Sequence, residues 1–276
     1  MNNKSIYYMI FSVIAFAIMN AIVKYLSTFH VYQIVFFRSI GTLAFTIPLI
    51  IKYKIPVLGT HKKLLLLRGF LGVFSLVFFF QSLKYLSVGT AVSLRYTSPI
   101  FAAIFAIIFL KENIKPIQWL LFLIAFIGVL IIKGFGNDIN YLGLIYVLFS
   151  AISLGLVLVI IRKIGKREHP LVIINYFMVM AFFFGGFMSI YYWKNPSLNQ
   201  LLLLSSLGIF GYIGQLYMTK AFQTNETNLL APLKYLEIVF TIIIGVFWFQ
   251  EIYNLYTVLG IILILVGLIY NLFLKK

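Results

Sequence analysis

Residues Ala91 to Glu112 read AVSLRYTSPIFAAIFAIIFLKE, an apolar run with an arginine inside it and a glutamate at its end. Leu230 to Glu251, LAPLKYLEIVFTIIIGVFWFQE, repeats the pattern. A single ungapped offset of 139 residues sets Leu94 on Leu233, Arg95 on Lys234, Tyr96 on Tyr235, Phe101 on Phe240 and Glu112 on Glu251. The same offset carries Gly69 and Gly72 onto Gly208 and Gly211, and Gly128 onto Gly267. Apolar runs match one another cheaply, so the weight rests on the shared register of the residues that are not apolar. The chain reads as two copies of one unit, residues 1–137 and 138–276.

Composition names the solvent. Hydrophobic residues are 63% of the chain and charged residues 10%, far from a soluble domain. The reading is an all-α integral membrane protein with the lipid bilayer as its partner. A net charge of +16 fits nucleic acid or basic cytoplasmic loops, and position decides between them. With no cysteine there is no disulfide framework, thiolate metal site or cysteine nucleophile. The first apolar run, Ser5 to Ser27, is too long for a signal-peptide core and reads as a retained span.

A helix crosses ~30 Å of hydrocarbon in about 20 residues, because its backbone must bond internally in lipid. Ten segments meet that length: 5–27, 31–51, 65–86, 88–110, 116–135, 140–162, 170–192, 200–220, 228–250 and 254–274. With the N-terminus in the cytoplasm, Lys4, Lys52, Lys54, Lys62, Lys63, Lys111, Lys115, Arg162, Lys163, Lys166, Arg167, Lys275 and Lys276 face inward, and Lys84, Lys133 and Lys194 outward. Thirteen flanking cations against three set both termini inside. That use of charge, split among short loops, leaves no basic stripe for nucleic acid. Five spans per half is odd, so the second copy enters the membrane upside down. Such an inverted repeat supports inward-open and outward-open states of similar energy.

Ionisable groups within spans cost roughly 2.5–3.5 kcal/mol each on insertion scales, so each requires an account. Arg38 and Arg95 fall on the order of 10 Å below the outer face and Lys234 about 9 Å above the inner one, at ~1.5 Å per residue. Glu237 lies nearest the midplane. Arg95, Ser98 and Ala102 share one helix face, and Lys234, Glu237 and Thr241 share the equivalent face, which points to a central polar cavity. There Arg38, Arg95 and Lys234 would take an anionic group, and Glu237 a cationic group or a coupling proton. The bland account stays open beside this one: Lys234 and Glu237 neutralise each other, while Arg38 and Arg95 reach the interface or free carbonyls near Pro48 and Pro99. Arg68, Lys24 and Lys220 lie near span ends and are read as snorkelling.

Tyr96, Tyr235, Tyr212 and Tyr217 either meet a substrate or pack with one satisfied hydroxyl. Asn20 and Lys24 form a polar face that adds to the cavity. Gly69, Gly72 and Ser75, with Gly208, Gly211 and Gly214, mark faces for close helix approach. Pro99 and Pro232 are candidate kinks. His30, His61 and His169 are far apart and lack metal-site or nucleophile–base spacing, and no P-loop or dinucleotide fingerprint occurs. No cofactor is called for, and the chain does not read as an enzyme.

Two stretches carry a family likeness: LRGFLGVFSLVFFFQSLKYLSVGTAVSLRYTSPIFAAIFAIIFLKENIKPIQWLLFLIAFIGVLII and KAFQTNETNLLAPLKYLEIVFTIIIGVFWFQEIYNLYTVLGIILILVG. In them the chain resembles the drug/metabolite transporter superfamily, in its ten-helix EamA-type branch. That resemblance implies that the first four helices of each half surround the substrate cavity and the fifth lies at the periphery. It implies alternating access for a small metabolite, amino-acid-like or, given RGFLG and RYTSPIF, S-adenosylmethionine-like. Glu112 and Glu251 match the family's end-of-helix glutamates and are read as gating or capping groups. The expectation is a secondary transporter of an anionic or zwitterionic metabolite in a bacterial inner membrane, with a homodimer compatible. A membrane-embedded enzyme, a structural membrane protein and a channel are the rivals.

Overall fold

The computed structural model describes residues 3–111, 116–135, 140–224 and 236–273. Glu112, Lys234 and Tyr235 of the expected site, and Pro232, lie outside the described residues. Within them the chain is helical throughout: α1 (Asn3–Tyr25), α2 (Val31–Lys52), α3 (Lys62–Ser82), α4 (Val88–Arg95), α5 (Ser98–Leu110), α6 (Pro116–Phe135), α7 (Tyr141–Ile164), α8 (Pro170–Ser189), α9 (Leu198–Thr224), α10 (Leu236–Phe249) and α11 (Leu255–Phe273). Seven segments are long and apolar enough to cross a membrane, with α4 and α5 counting as one, and α6, α10 and α11 contain shorter apolar runs. Outward faces carry large apolar side chains such as Phe247, Phe183 and Leu202, as lipid-facing surfaces do.

Local chemistry sets the boundaries. His30 and His169, one repeat offset apart, cap α2 and α8 in the same way, each ring Nδ1 accepting the N–H two residues on (Tyr32, 3.5 Å; Leu171, 3.2 Å). Burial lowers both histidine pKa values, helped by Lys84 at His30 and Lys220 at His169, which keeps the rings neutral and able to accept. Asn140 Oδ1 caps α7 by accepting from Leu142 and Gly143.

The fourth span is not one helix. α4 ends at Arg95, Tyr96 and Thr97 form a turn, and α5 begins at Ser98 with Pro99 in its first turn. Proline has no N–H to return to the carbonyl of Arg95, so the ladder is interrupted there. Thr97 Oγ1 donates to Leu94 O at 2.8 Å within the turn.

Helix packing repeats itself under exchange of residue i with i+139. α1 lies on α9 as α7 lies on α3, α2 on α9 as α8 on α3, and α1 on α10 as α7 on α5. The exchange extends to single residues. Gly41 meets Gly208, and the equivalent Met180 meets Gly69. Thr46 bonds Asn175, and the equivalent Gly185 meets the backbone of Phe36. Gly128 lies against Gly260 and Ile264, and Gly267 against Leu121 and Ala125, so α6 and α11 cross through their glycines. Arg38 stacks on Phe177, its own equivalent, at 5.7 Å, which sets this pair beside the axis of the exchange.

Candidate substrate cavity

A cavity of about 80 Å³, partly open to its surroundings, lies between α1–α4 and α7–α10. No residue of α6 or α11 is among those lining it. Its walls are mostly apolar, from Phe16 and Met19 on α1 to Leu154, Val157 and Ile161 on α7. Against them stand Asn20, Arg38, Arg68, Arg95, Tyr96, Gln215 and Glu237.

Glu237 is the carboxylate of the lining. It opens α10 and is buried at 5% exposure, accepting from Asn20 Nδ2 at 3.0 Å and from the Tyr96 hydroxyl at 2.6 Å. Tyr96 is delivered by the break between α4 and α5, where a continuous helix would carry it round with its turn. Asn20 comes from the middle of α1, so this cluster joins elements of both halves. This buried carboxylate thus gathers one donor from α1 and one from the α4–α5 break.

The cations of the lining are Arg38 on α2, Arg68 on α3 and Arg95 on α4. Arg38 and Arg68 are each only 2% exposed. Their guanidinium carbons stand 5.7 and 4.4 Å from the centre of the same Phe177 ring, within about 10 Å of each other. Arg95 stacks on Phe79 at 4.1 Å. Among the described residues, Nε and Nη1 of Arg38 and Arg68, and Nε of Arg95, have no hydrogen-bond partner. Two such charges at ~10 Å repel by about 1.7 kcal/mol at an effective dielectric of ~20. The described lining thus presents three guanidiniums to one carboxylate.

Of the residues singled out in the sequence, Arg38, Arg95, Tyr96, Asn20 and Glu237 meet at this cavity. Ser98 is buried at the start of α5 and does not line it, and Tyr212 stacks on Phe45 at 5.3 Å away from it. Glu251 lies at the far end of α10, accepting from Val88 N–H and the Tyr253 hydroxyl and pairing with Lys24 at 3.7 Å. Lys24 accordingly points inward, its Nζ also donating to Leu86 O. Arg68 corrects the snorkelling account: its head is buried on Phe177. Gln215, 4% exposed with Nε2 unpartnered among the described residues, was missed altogether. An amide amid the apolar and small residues of the eighth span was its only sequence signal.

Residues 3–134 and 141–273 each match the model of the EamA-like transporter family. An S-adenosylmethionine uptake transporter of Rickettsia conorii is 28% identical over 93% of this chain and 88% of its own length. A pseudopaline exporter of Pseudomonas aeruginosa is 30% identical over 92% of this chain and 90% of its own. Human solute carrier family 35 member G1 is 28% identical over 92% of this chain and 75% of its own. One crystal structure shares the fold at a TM-score of 0.68, covering 96% of this chain and 98% of its own with 19% identity.

Proposed function

The chain belongs to the EamA-like transporter family, and on that premise we propose that it is a secondary carrier of an anionic or zwitterionic organic metabolite, working by alternating access. It is a multi-pass membrane protein and a transporter of small metabolites, not an enzyme. The observation that carries the finer reading is the cavity between the two halves, lined by Glu237 and by the buried guanidiniums of Arg38, Arg68 and Arg95. Arg38 and Arg95 bind the anionic group of the cargo, and Lys234 is a third candidate for the same role. Glu237 takes its cationic group or a coupling proton, and Asn20 and Tyr96, which line the cavity with it, support the site, with Tyr235 a further candidate.

The repeat is read as inverted, over residues 1–137 and 138–276, with both termini cytoplasmic and the chain in a bacterial inner membrane. Three observations support this: the exchange of contacts at a fixed offset, the two separate family matches, and the thirteen-to-three bias of flanking cations. A cargo beside the axis, at Arg38 and Phe177, stays in place while the halves rock around it. Relatives named for S-adenosylmethionine uptake and pseudopaline export support an amino-acid-like or S-adenosylmethionine-like cargo and leave direction free.

The test is metabolite flux into and out of proteoliposomes, with a pH gradient switched on and off. Movement of no solute under any gradient would end the carrier reading. Glu237→Gln should abolish gradient-driven accumulation; undiminished accumulation removes it as the proton site. Arg95→Gln should weaken cargo binding at unchanged expression.

A further inference from the structure

We infer that Arg38 and Arg68, held against the ring of Phe177, form a subsite for a dianionic group of the cargo, either two neighbouring carboxylates or one phosphate. That the group belongs to a transported cargo rests on the carrier reading above; the subsite itself rests on the geometry.

Arg68 lies on α3, Arg38 on α2 and Phe177 on α8, so the subsite is assembled from both halves. Both arginines are 2% exposed, and both line the cavity. Among the described residues no carboxylate pairs with either, and Glu237 is engaged by Asn20 and Tyr96. Stacking on Phe177 offsets part of the charge through the ring face and uses none of the N–H donors. Nε and Nη1 of each arginine are buried without a hydrogen-bond partner among the described residues. A guanidinium presents its donors as a planar fork, which matches the paired oxygens of a carboxylate or phosphate. Two forks within about 10 Å, on one ring, suit two anionic charges better than one.

The backbone makes room for the forks. A Cβ at Gly72 would come within 3.4 Å of Arg68 Nη1, and one at Gly211 within 3.1 Å of Arg38 Nε. These two glycines are repeat equivalents, so the space is left once from each half. With Glu237 in the same lining, the cavity fits a cargo carrying a dianionic group and a separate donor or cationic group.

The experiment measures binding to the purified full chain by calorimetry in low-chloride buffer, using pairs of probes that differ by one anionic charge. Glutarate is compared with butyrate, L-glutamate with L-glutamine, and glycerol 3-phosphate with acetate. In at least one pair the dianion-bearing probe should bind about tenfold tighter or more. Arg68→Gln and Arg38→Gln should each collapse that ratio. Arg68→Lys, which keeps the charge and loses the fork, should retain part of it, and it reads the same ratio if Arg68→Gln does not fold. The series that shows the ratio, carboxylate or phosphate, identifies the group. Equal affinities within every pair, or a ratio untouched by all three variants, would overturn the subsite. Flux in proteoliposomes separates the two claims: a preserved ratio with no solute movement sinks the carrier reading alone, and movement without the ratio sinks the subsite alone.

Discussion

Two carboxylates sit at opposite ends of α3, and they are built differently. Glu168, in the turn before α8, gathers donors from the loop that leads into α3: Thr60 N–H and Oγ1, both at 2.7 Å, His61 N–H at 2.6 Å, and the His61 ring at 3.1 Å. Glu251, just past α10, instead reaches three separate elements. It accepts from Val88 N–H at the start of α4 (3.0 Å) and from the Tyr253 hydroxyl (2.5 Å), and it pairs with Lys24 at the end of α1 (3.7 Å). The first clasp is dense and local, made of backbone and side-chain groups that one loop supplies together. The second is sparse and long-range, and joins α1 and α4 of one half to α10 of the other. A dense clasp fails by titration of its centre, whereas a sparse one fails by removal of its hub.

The largest effect should follow from removing that hub. Glu251→Ala leaves the Lys24 ammonium with Leu86 O alone and strands the Val88 N–H at the start of α4. We expect a loss of about 3 kcal/mol, read from thermal unfolding in detergent. A loss below about 1 kcal/mol would mean that the three elements are held together by apolar packing and that the clasp is incidental.

Next comes acid titration of the dense clasp. Burial raises the pKa of Glu168, but the bonds from Thr60 and His61 outweigh it and hold the value at about 2, below the ordinary 4.5. Because the folded value is depressed, the stabilisation is present in full above pH 4.5 and is lost as pH falls toward 2. Wild type should lose on the order of 2 kcal/mol across that window, and Glu168→Gln should show a flatter profile. Identical profiles would show that another group carries the acid sensitivity. The sparse clasp has no matching transition from its phenol: burial first, then the bond to Glu251, raises the Tyr253 pKa and keeps that hydroxyl protonated.

Third is Gly59, which turns into the dense clasp at φ +58°. A Cβ there would lie 2.6 Å from Glu168 Oε2 and 2.8 Å from Leu65 Cδ1. Gly59→Ala should cost about 1–2 kcal/mol, combining left-handed strain with displacement of the carboxylate. Gly59→Asn separates the two, since asparagine tolerates the conformation and keeps the Cβ. Full recovery in Gly59→Asn would assign the whole cost to the backbone.

These clasps also mark where the sequence speaks and where it is silent. The apolar runs and the fixed offset can be read directly, because they depend on chain-local composition; the contacts of Gly128 and Gly267 repeat the spacing that the letters show. Arg95 and Glu237 stand out because charge amid apolar residues is visible at any fold. Arg68 does not, since counting residues from a span end gives depth and not direction, and Phe177, which holds it, comes 109 residues later. Glu168 looks like any loop charge until the Thr60 loop is folded over it. The break after Arg95 is legible only in part: Pro99 signals a kink, but the turn that brings Tyr96 to Glu237 depends on α10, from the other half.

The smallest expected effect tests how far the sparse clasp acts as one network. The Tyr253 hydroxyl donates to Glu251 Oε2 and accepts from Gly89 N–H at 3.2 Å, so it bridges the carboxylate to the first turn of α4. Tyr253→Phe removes one charge-assisted bond and one bond to a helix-end donor, while Val88 N–H and Lys24 still hold Glu251. The expected loss is about 1 kcal/mol, smaller than that of Glu251→Ala because the hub survives. In a double-mutant cycle with Glu251→Gln the two changes should couple by about 1 kcal/mol, since each removes part of the same bond. A Tyr253→Phe loss as large as that of Glu251→Ala would mean that Glu251 keeps its place only through the phenol. The sparse clasp would then be as dependent on a single loop as the one built on Glu168.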